Sequence, residues 1–210
     1  MQINIDELNE VTLKVKEYPN SSLLLVTKNR PQSLVKSLIE KGYILFGENR
    51  VQEAKEKFSD FADQGLELHL IGPLQTNKVK VALNLFSTIQ TIDRPKLIKE
   101  ISKYTHLNPD VVTRDYYIQI NIGEEQQKAG VLPDHFKDLY NLAISHKLKI
   151  AGLMCIPPLN KDPSSYFKKM IDLRDSINTK LKLSMGMSND YEVALSHQSD
   201  LVRIGSKIFK

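Results

Sequence analysis

Ser22-Leu-Leu-Leu-Val-Thr-Lys28, followed almost at once by Pro31, is the stretch whose reading decides the fold. It is short, apolar and β-branched up to its last residue, the pattern of a strand buried on both faces. Pro31 suits the start of a helix whose inward face is Leu34, Val35, Leu38 and Ile39, and Gly42 ends that helix. A strand covered on both faces belongs in a parallel sheet, so the neighbouring sequence should repeat the same strand–helix unit.

It does. Before the stretch, Ile5, Leu8, Val11 and Val15 mark one face of a helix at about 5–17. After it, strand patterns recur at 43–46, 66–71, 88–92, 115–122, 149–156, 181–185 and 201–204. Each but the last leads into a helical pattern. The inward faces are Val51, Ala54, Phe58 and Phe61; Val79, Ala82, Leu83 and Phe86; then Leu97, Ile98, Ile101 and Tyr104, with Asp93 as the expected cap. Phe136, Leu139, Tyr140, Ala143 and Ile144 follow near Pro133, then Phe167, Met170, Ile171, Arg174 and Ile177, then a short helix at 191–197. Eight such strands predict an α/β fold, a (β/α)8 TIM barrel closed by the first helix, as one domain over residues 1–210. An open doubly wound sheet is the alternative, but no Gly-x-Gly-x-x-Gly follows the first strand.

The bulk numbers narrow the function. A chain of 210 residues with 41% hydrophobic and 26% charged residues can bury one large core. Its net charge of +4 is spread without a Lys/Arg block, which points away from nucleic acid. Cys155 is the only cysteine, so no internal disulfide or cysteine-based metal cluster forms. His106, His135, His146 and His197 lack metal-ligand spacing. The first residues have neither a basic nor an apolar leader segment, and no apolar run approaches a membrane span. The expectation is a cytoplasmic protein, with nothing demanding more than a monomer.

In a barrel of this kind chemistry gathers at the C-terminal ends of the strands. Lys28 stands at such an end. Partial desolvation there would favour a neutral amine, a nucleophile for carbonyls; a strand-end lysine reaching out to solvent is the plainer reading. The seventh and eighth loops, where the fold often holds a phosphate, read Ser184-Met-Gly-Met-Ser188-Asn189-Asp190 and Arg203-Ile-Gly205-Ser206. Glycine lets backbone N–H groups approach an anion and serine adds a hydroxyl, although Asn189 and Glu192 could instead form a capping pair. A strand-end amine beside a phosphate site suits a phosphorylated aldehyde held as an imine. Pyridoxal 5′-phosphate and the sugar phosphate of a class I aldolase both answer that description, and these motifs do not separate them.

A longer set of strings does. Val26-Thr-Lys28, Phe46-Gly-Glu-Asn49-Arg-Val-Gln-Glu53, His69-Leu-Ile-Gly-Pro-Leu-Gln-Thr-Asn-Lys78, Ile92-Asp93, Gln119-Ile-Asn-Ile, Lys128-Ala-Gly130, Gly152-Leu-Met-Cys-Ile-Pro157, Leu183-Ser-Met-Gly-Met-Ser188 and Val202-Arg-Ile-Gly-Ser206 together resemble the pyridoxal phosphate homeostasis protein family. The likeness runs from about Leu23 to Phe209. That family is similar to the barrel domain of alanine racemase without its second domain. The resemblance implies that Lys28 carries pyridoxal phosphate as a Schiff base. It further implies that Ser188, Gly205 and Ser206 hold the phosphate, Asn49 lies beside the cofactor, and Arg203 faces the pyridine nitrogen. Arginine only donates hydrogen bonds, so the ring nitrogen should stay unprotonated and the cofactor should be a weak electron sink. The expected role is a carrier that maintains vitamin B6 supply and releases the cofactor to apo-enzymes. The alternative is a weak amino-acid racemase of fold type III. Racemisation needs a base on each face of Cα, and the tyrosine that serves the second face in alanine racemase comes from the domain this family lacks.

Other positions have two readings each. His69 is either near the pocket or a satisfied core histidine, and is given no catalytic role. Gln75, Asn77 and Lys78 could reach phosphate or merely solvate a helix start. Lys128 could offer a second amine or sit on the surface. Glu48 could orient Asn49 or pair with a lysine, and Cys155 reads as packing. One departure is that relatives usually continue past Ile-Phe with glycine and a basic tail, where this sequence reads Phe209-Lys210.

Overall fold

The computed structural model describes residues 2–61 and 64–210. An opening helix, α1 (Ile5–Lys16), precedes β1 (Ser22–Val26), α2 (Gln32–Glu40), β2 (Leu45–Glu48), α3 (Val51–Phe58), β3 (Glu67–Leu70) and α4 (Val79–Leu83). The chain goes on through β4 (Thr88–Ile92), α5 (Pro95–Leu107), β5 (Asp115–Ile120), α6 (Phe136–Ser145), β6 (Ile150–Cys155), α7 (Ser164–Asp175), β7 (Lys182–Met187), α8 (Tyr191–Ser196) and β8 (Leu201–Ile204). The strands pair in sequence order and close into a parallel barrel. Closure joins β1 to β8, with Ser22 beside Leu201 and Leu25 beside Ile204.

The strands read as unbroken apolar runs because both faces are covered. All five residues of β4 are buried, for example. Outward residues such as Leu25, Phe46, Ile89, Ile118 and Val202 meet the helical faces of Val35, Ala54, Leu97, Phe136 and Phe167 in one continuous core. Leu24, Val26 and Leu201, with Leu45 and Ile71 against them, form a separate small cluster. The segment around α1 ties the two chain ends together: the Gln2 N–H donates to the Lys210 carbonyl at 2.9 Å, and the Lys207 ammonium reaches Glu7 at 2.7 Å.

Several local expectations need correction. β1 stops at Val26, and Lys28 stands in a turn beyond it and is exposed, so the partial desolvation expected at a strand tip is missing. Thr27 is the last buried residue there, its N–H donating to the Gly47 carbonyl at 3.1 Å. β5 ends at Ile120, after which the Asn121 N–H turns aside to the Val131 carbonyl. Ile5 and Ile144, assigned inward faces, are 40% and 47% exposed because each lies in the terminal turn of its helix. Asp93 does not cap α5; its carboxylate pairs with the Arg94 guanidinium, and Arg94 takes the cap position. Among the described residues no helix is long and apolar enough to cross a membrane, and no group of His, Cys, Asp and Glu could hold a metal ion.

Candidate functional site

A cavity of about 720 Å³ opens where the strands end. Its walls come from the residues just past β1, β2, β3, β6, β7 and β8. Lys28, Asn49, Ser188, Arg203, Gly205 and Ser206, the six positions singled out in the sequence, all line it. Barrel closure explains why residues so far apart in sequence meet: β1 and β8 are neighbours, so their exits lie side by side. Gly205 permits the approach, since a Cβ there would stand 3.0 Å from the Val26 carbonyl oxygen. The Ser188 hydroxyl oxygen accepts the Lys207 N–H at 3.3 Å, which links the seventh and eighth loops and leaves the hydroxyl proton to donate.

Asn49 is placed by a second close approach. A Cβ on Gly72 would fall 2.1 Å from the Asn49 carbonyl oxygen, while the Thr91 hydroxyl holds the Gly72 carbonyl at 2.9 Å. Gly72→Ala therefore has to push Asn49 away from the cavity wall. A loss of about 1–3 kcal/mol in stability is expected, read by chemical denaturation.

Lys28 has no hydrogen bond or ion pair within the described residues. Arg203 is the opposite case, 3% exposed on the cavity floor. It donates to the Ser184 hydroxyl at 2.8 Å and to the Cys155 carbonyl at 2.7 Å, and no carboxylate bonds to it among the described residues. Burial pulls its guanidinium below the ordinary value. Lys28, Arg30, Lys161 and Arg203 line the cavity against a single acid, Asp190, whose carboxylate accepts the Met187 N–H at 2.6 Å. The charged side chains of the lining are thus mainly cationic, which favours an anion.

Behind Lys28 lies a buried ionic cluster. The Lys57 ammonium donates to the Thr27 carbonyl at 2.6 Å, to Glu48 at 2.7 Å and to Glu53 at 2.8 Å. Glu53 also accepts the Asn29 N–H. Glu48 thus pairs with a lysine; burial pushes its carboxyl up even though the Lys57 and Thr27 bonds pull it down. The cluster fixes the backbone on both sides of residue 28.

Of the remaining positions only Asn189 lines the cavity; the others fall outside its walls. Lys128 pairs with Glu125 at 2.6 Å and donates to the Pro157 carbonyl at 3.1 Å, tying the fifth loop to the sixth. Gln75, Asn77 and Lys78 sit at a 3-10 turn without touching the cavity. Asn189 and Glu192 form no cap, because α8 begins at Tyr191 with no side-chain capping bond. Cys155 is fully buried and its thiol is pushed up to about 12, which suits packing.

The sequence reading missed two features. One is the loop 156–163, whose Pro158, Leu159 and Lys161 form a cavity wall; the double proline was its signal. The other is a set of polar side chains inside the barrel. The Ser184 hydroxyl donates to Gln90 at 2.7 Å, and the Gln90 amide meets His69 Nδ1 at 2.8 Å. Burial lowers His69 to about 4, so it is neutral at physiological pH. Gln90 in the middle of a fully buried strand was the available signal.

No protein-family model matches the chain. It is 37% identical over 198 residues to the pyridoxal phosphate homeostasis protein of Aquifex aeolicus, covering 90% of this chain and 86% of that one. The protein of the same description from Escherichia coli is 34% identical over 199 residues, covering 90% and 84%. Among solved structures, PipY of Synechococcus elongatus without PLP matches with a TM-score of 0.86 at 28% identity, over 98% of this chain and 99% of that one. The same protein with PLP bound gives 0.82. An alanine racemase from Clostridium difficile, at 14% identity and a TM-score of 0.75, shares the fold, and this chain spans 57% of its length.

Proposed function

Because the chain belongs to the pyridoxal phosphate homeostasis protein family, we propose that it holds pyridoxal 5′-phosphate at the barrel mouth as a Schiff base on Lys28 and maintains the cell's supply of that cofactor. One observation carries the reading: a single cavity joins an amine and a buried guanidinium, neither with a carboxylate partner among the described residues, to two Gly/Ser turns. That donor set fits a phosphorylated aldehyde with a ring nitrogen.

The roles divide by chemistry. The Lys28 amine would supply the nucleophile for the aldehyde, with water as the leaving group. Ser188 and Ser206 offer hydroxyl donors to the phosphate, and Gly205 lets the backbone come close. Asn49, on the cavity wall, would lie beside the ring. Arg203 would face the ring nitrogen, and since it only donates, that nitrogen would keep its lone pair unprotonated. Bound pyridoxal phosphate supplies an aldehyde carbon that exchanges between amines, and with an unprotonated ring it is a poor electron sink. Retention and handover to apo-enzymes in the cytoplasm therefore suit the site better than turnover. The competing reading, weak racemisation, needs a base on each face of Cα, and no tyrosine lines the cavity among the described residues.

The test is a mass measurement on protein incubated with pyridoxal phosphate and then reduced with borohydride. A pyridoxyl adduct on the peptide bearing Lys28 is the expected result. No adduct, or one confined to other lysines, would overturn the proposal. Deuterium entering Cα of alanine at a useful rate, and lost with Lys28, would favour the racemase.

A further inference from the structure

The polar side chains inside the barrel form one connected thread that ends beneath the cavity. It starts at Arg203 in β8, passes to Ser184 in β7 at 2.8 Å, crosses to Gln90 in β4 at 2.7 Å, and ends at His69 in β3 at 2.8 Å. β4 and β7 are not neighbours in the barrel, so the Ser184–Gln90 bond spans its interior. Ser184 and Gln90 are both 0% exposed, and His69 is 6% exposed.

The thread has a direction. Arginine can only donate, so the Ser184 oxygen accepts from it and must pass its own proton onward to the Gln90 carbonyl oxygen. The Gln90 amide then has only its NH₂ left for His69, whose Nδ1 must accept, leaving the imidazole proton on Nε2. Reversing the amide would set its NH₂ against Ser184, leave the Ser184 proton without the Gln90 acceptor and require the other His69 tautomer. Every donor is thus aligned away from the cation, in one arrangement.

We propose that Gln90 and Ser184 are positioning residues for the ligand: they lock the Arg203 guanidinium on the cavity floor and keep its charge uncancelled. This rests on the reading that the cavity takes pyridoxal phosphate. Buried polar groups are costly unless fully paired, and an apolar filling would serve packing alone. What the thread adds is restraint. Asp190 lines the same cavity and acts electrostatically on Arg203. An arginine without its Ser184 anchor could turn to that carboxylate, and a neutralised pair would no longer serve an anionic ligand or the ring nitrogen.

The test uses Ser184→Ala and Gln90→Glu, both near the native volume, each followed by three readings: thermal midpoint, affinity for pyridoxal phosphate with the position of its visible band, and the His69 titration in the ligand-free protein by NMR. Ser184→Ala should weaken cofactor binding about tenfold, the scale of one lost hydrogen bond to a charged group, and move the visible band. It should leave the fold intact. In Gln90→Glu the new carboxylate cannot donate to His69, so the imidazole should take a proton and titrate above about 6.5, the unperturbed value, instead of at about 4. Cofactor binding should weaken in this variant too, because an anion now faces Arg203 through one hydroxyl. If both variants bind within about twofold of wild type with an unmoved band, against a tenfold expectation, the thread is packing and the inference fails. Wild-type protein that takes up no pyridoxal phosphate would instead overturn the functional reading and this inference with it.

Discussion

Lys28→Ala is expected to abolish the borohydride-stable pyridoxyl adduct while leaving the stability of the barrel unchanged within about 0.5 kcal/mol. The two halves of that result come from one structural fact. Lys28 is exposed in a turn past the end of β1, and no bond to the described residues depends on its amine. Surface side chains of that kind contribute little to folding. A loss of binding accompanied by a large fall in stability would mean that the residue holds the turn together. Retention of the adduct in the variant would move the covalent site to another lysine. Calorimetry together with mass analysis of the reduced protein reads both quantities on one sample.

Lys57→Met is expected to show the opposite pattern, a loss of about 3–5 kcal/mol at neutral pH. Lys57 is 6% exposed and uses three bonds to compensate Glu48, Glu53 and the Thr27 carbonyl. Without the ammonium, the Glu48 carboxylate would keep the Thr27 hydroxyl at 2.7 Å as its remaining partner, and its second oxygen is already buried without one. The loss should depend on pH with a definite sign. Burial already holds the Glu48 carboxyl above its ordinary value of 4.5, and removing Lys57 removes the main influence opposing that. A carboxyl raised in the folded state favours folding at low pH, and that contribution disappears as pH rises through the folded value. The deficit of the variant should therefore shrink as pH falls toward 4.5 and grow as pH rises. Glu48→Gln serves as the control, keeping the shape and removing the charge. Denaturant titration of both variants from acid to neutral pH decides the matter, and a deficit independent of pH would assign the effect to packing. Because Thr27 and Asn29 flank Lys28, the same substitution should also loosen cofactor binding.

The fold was legible because parallel strands covered on both sides leave a plain signature. Runs such as Leu24-Leu-Val26 and Ile89-Gln-Thr-Ile92 needed no periodicity to be recognised, and the eight of them in alternation with helices left few topologies. The strand ends were less legible. Thr27 looks like more strand and is buried like one, so the turn that exposes Lys28 could not be read from residue type. Lys28, Ser188, Gly205 and Ser206 were legible from strand ends and Gly/Ser loops, whereas Asn49 and the part given to Arg203 came from family strings alone; barrel closure brings all six to one cavity. The thread beneath them was hidden for a physical reason: each member, Ser184, Gln90 and His69, is ordinary on its own strand. Its meaning comes from partners 94 and 21 residues away in sequence. Polar residues placed in otherwise apolar buried strands were the visible trace, and they call for partners that only the closed barrel supplies.

Pairing the first strand with the last has a consequence during synthesis. The amine at residue 28 leaves the ribosome well before Ser188, Arg203, Gly205 and Ser206, and Lys207 must still find Glu7. A nascent chain that has not yet delivered the seventh and eighth loops has half a receptacle, so the vitamin can be loaded only after β8 has closed against β1.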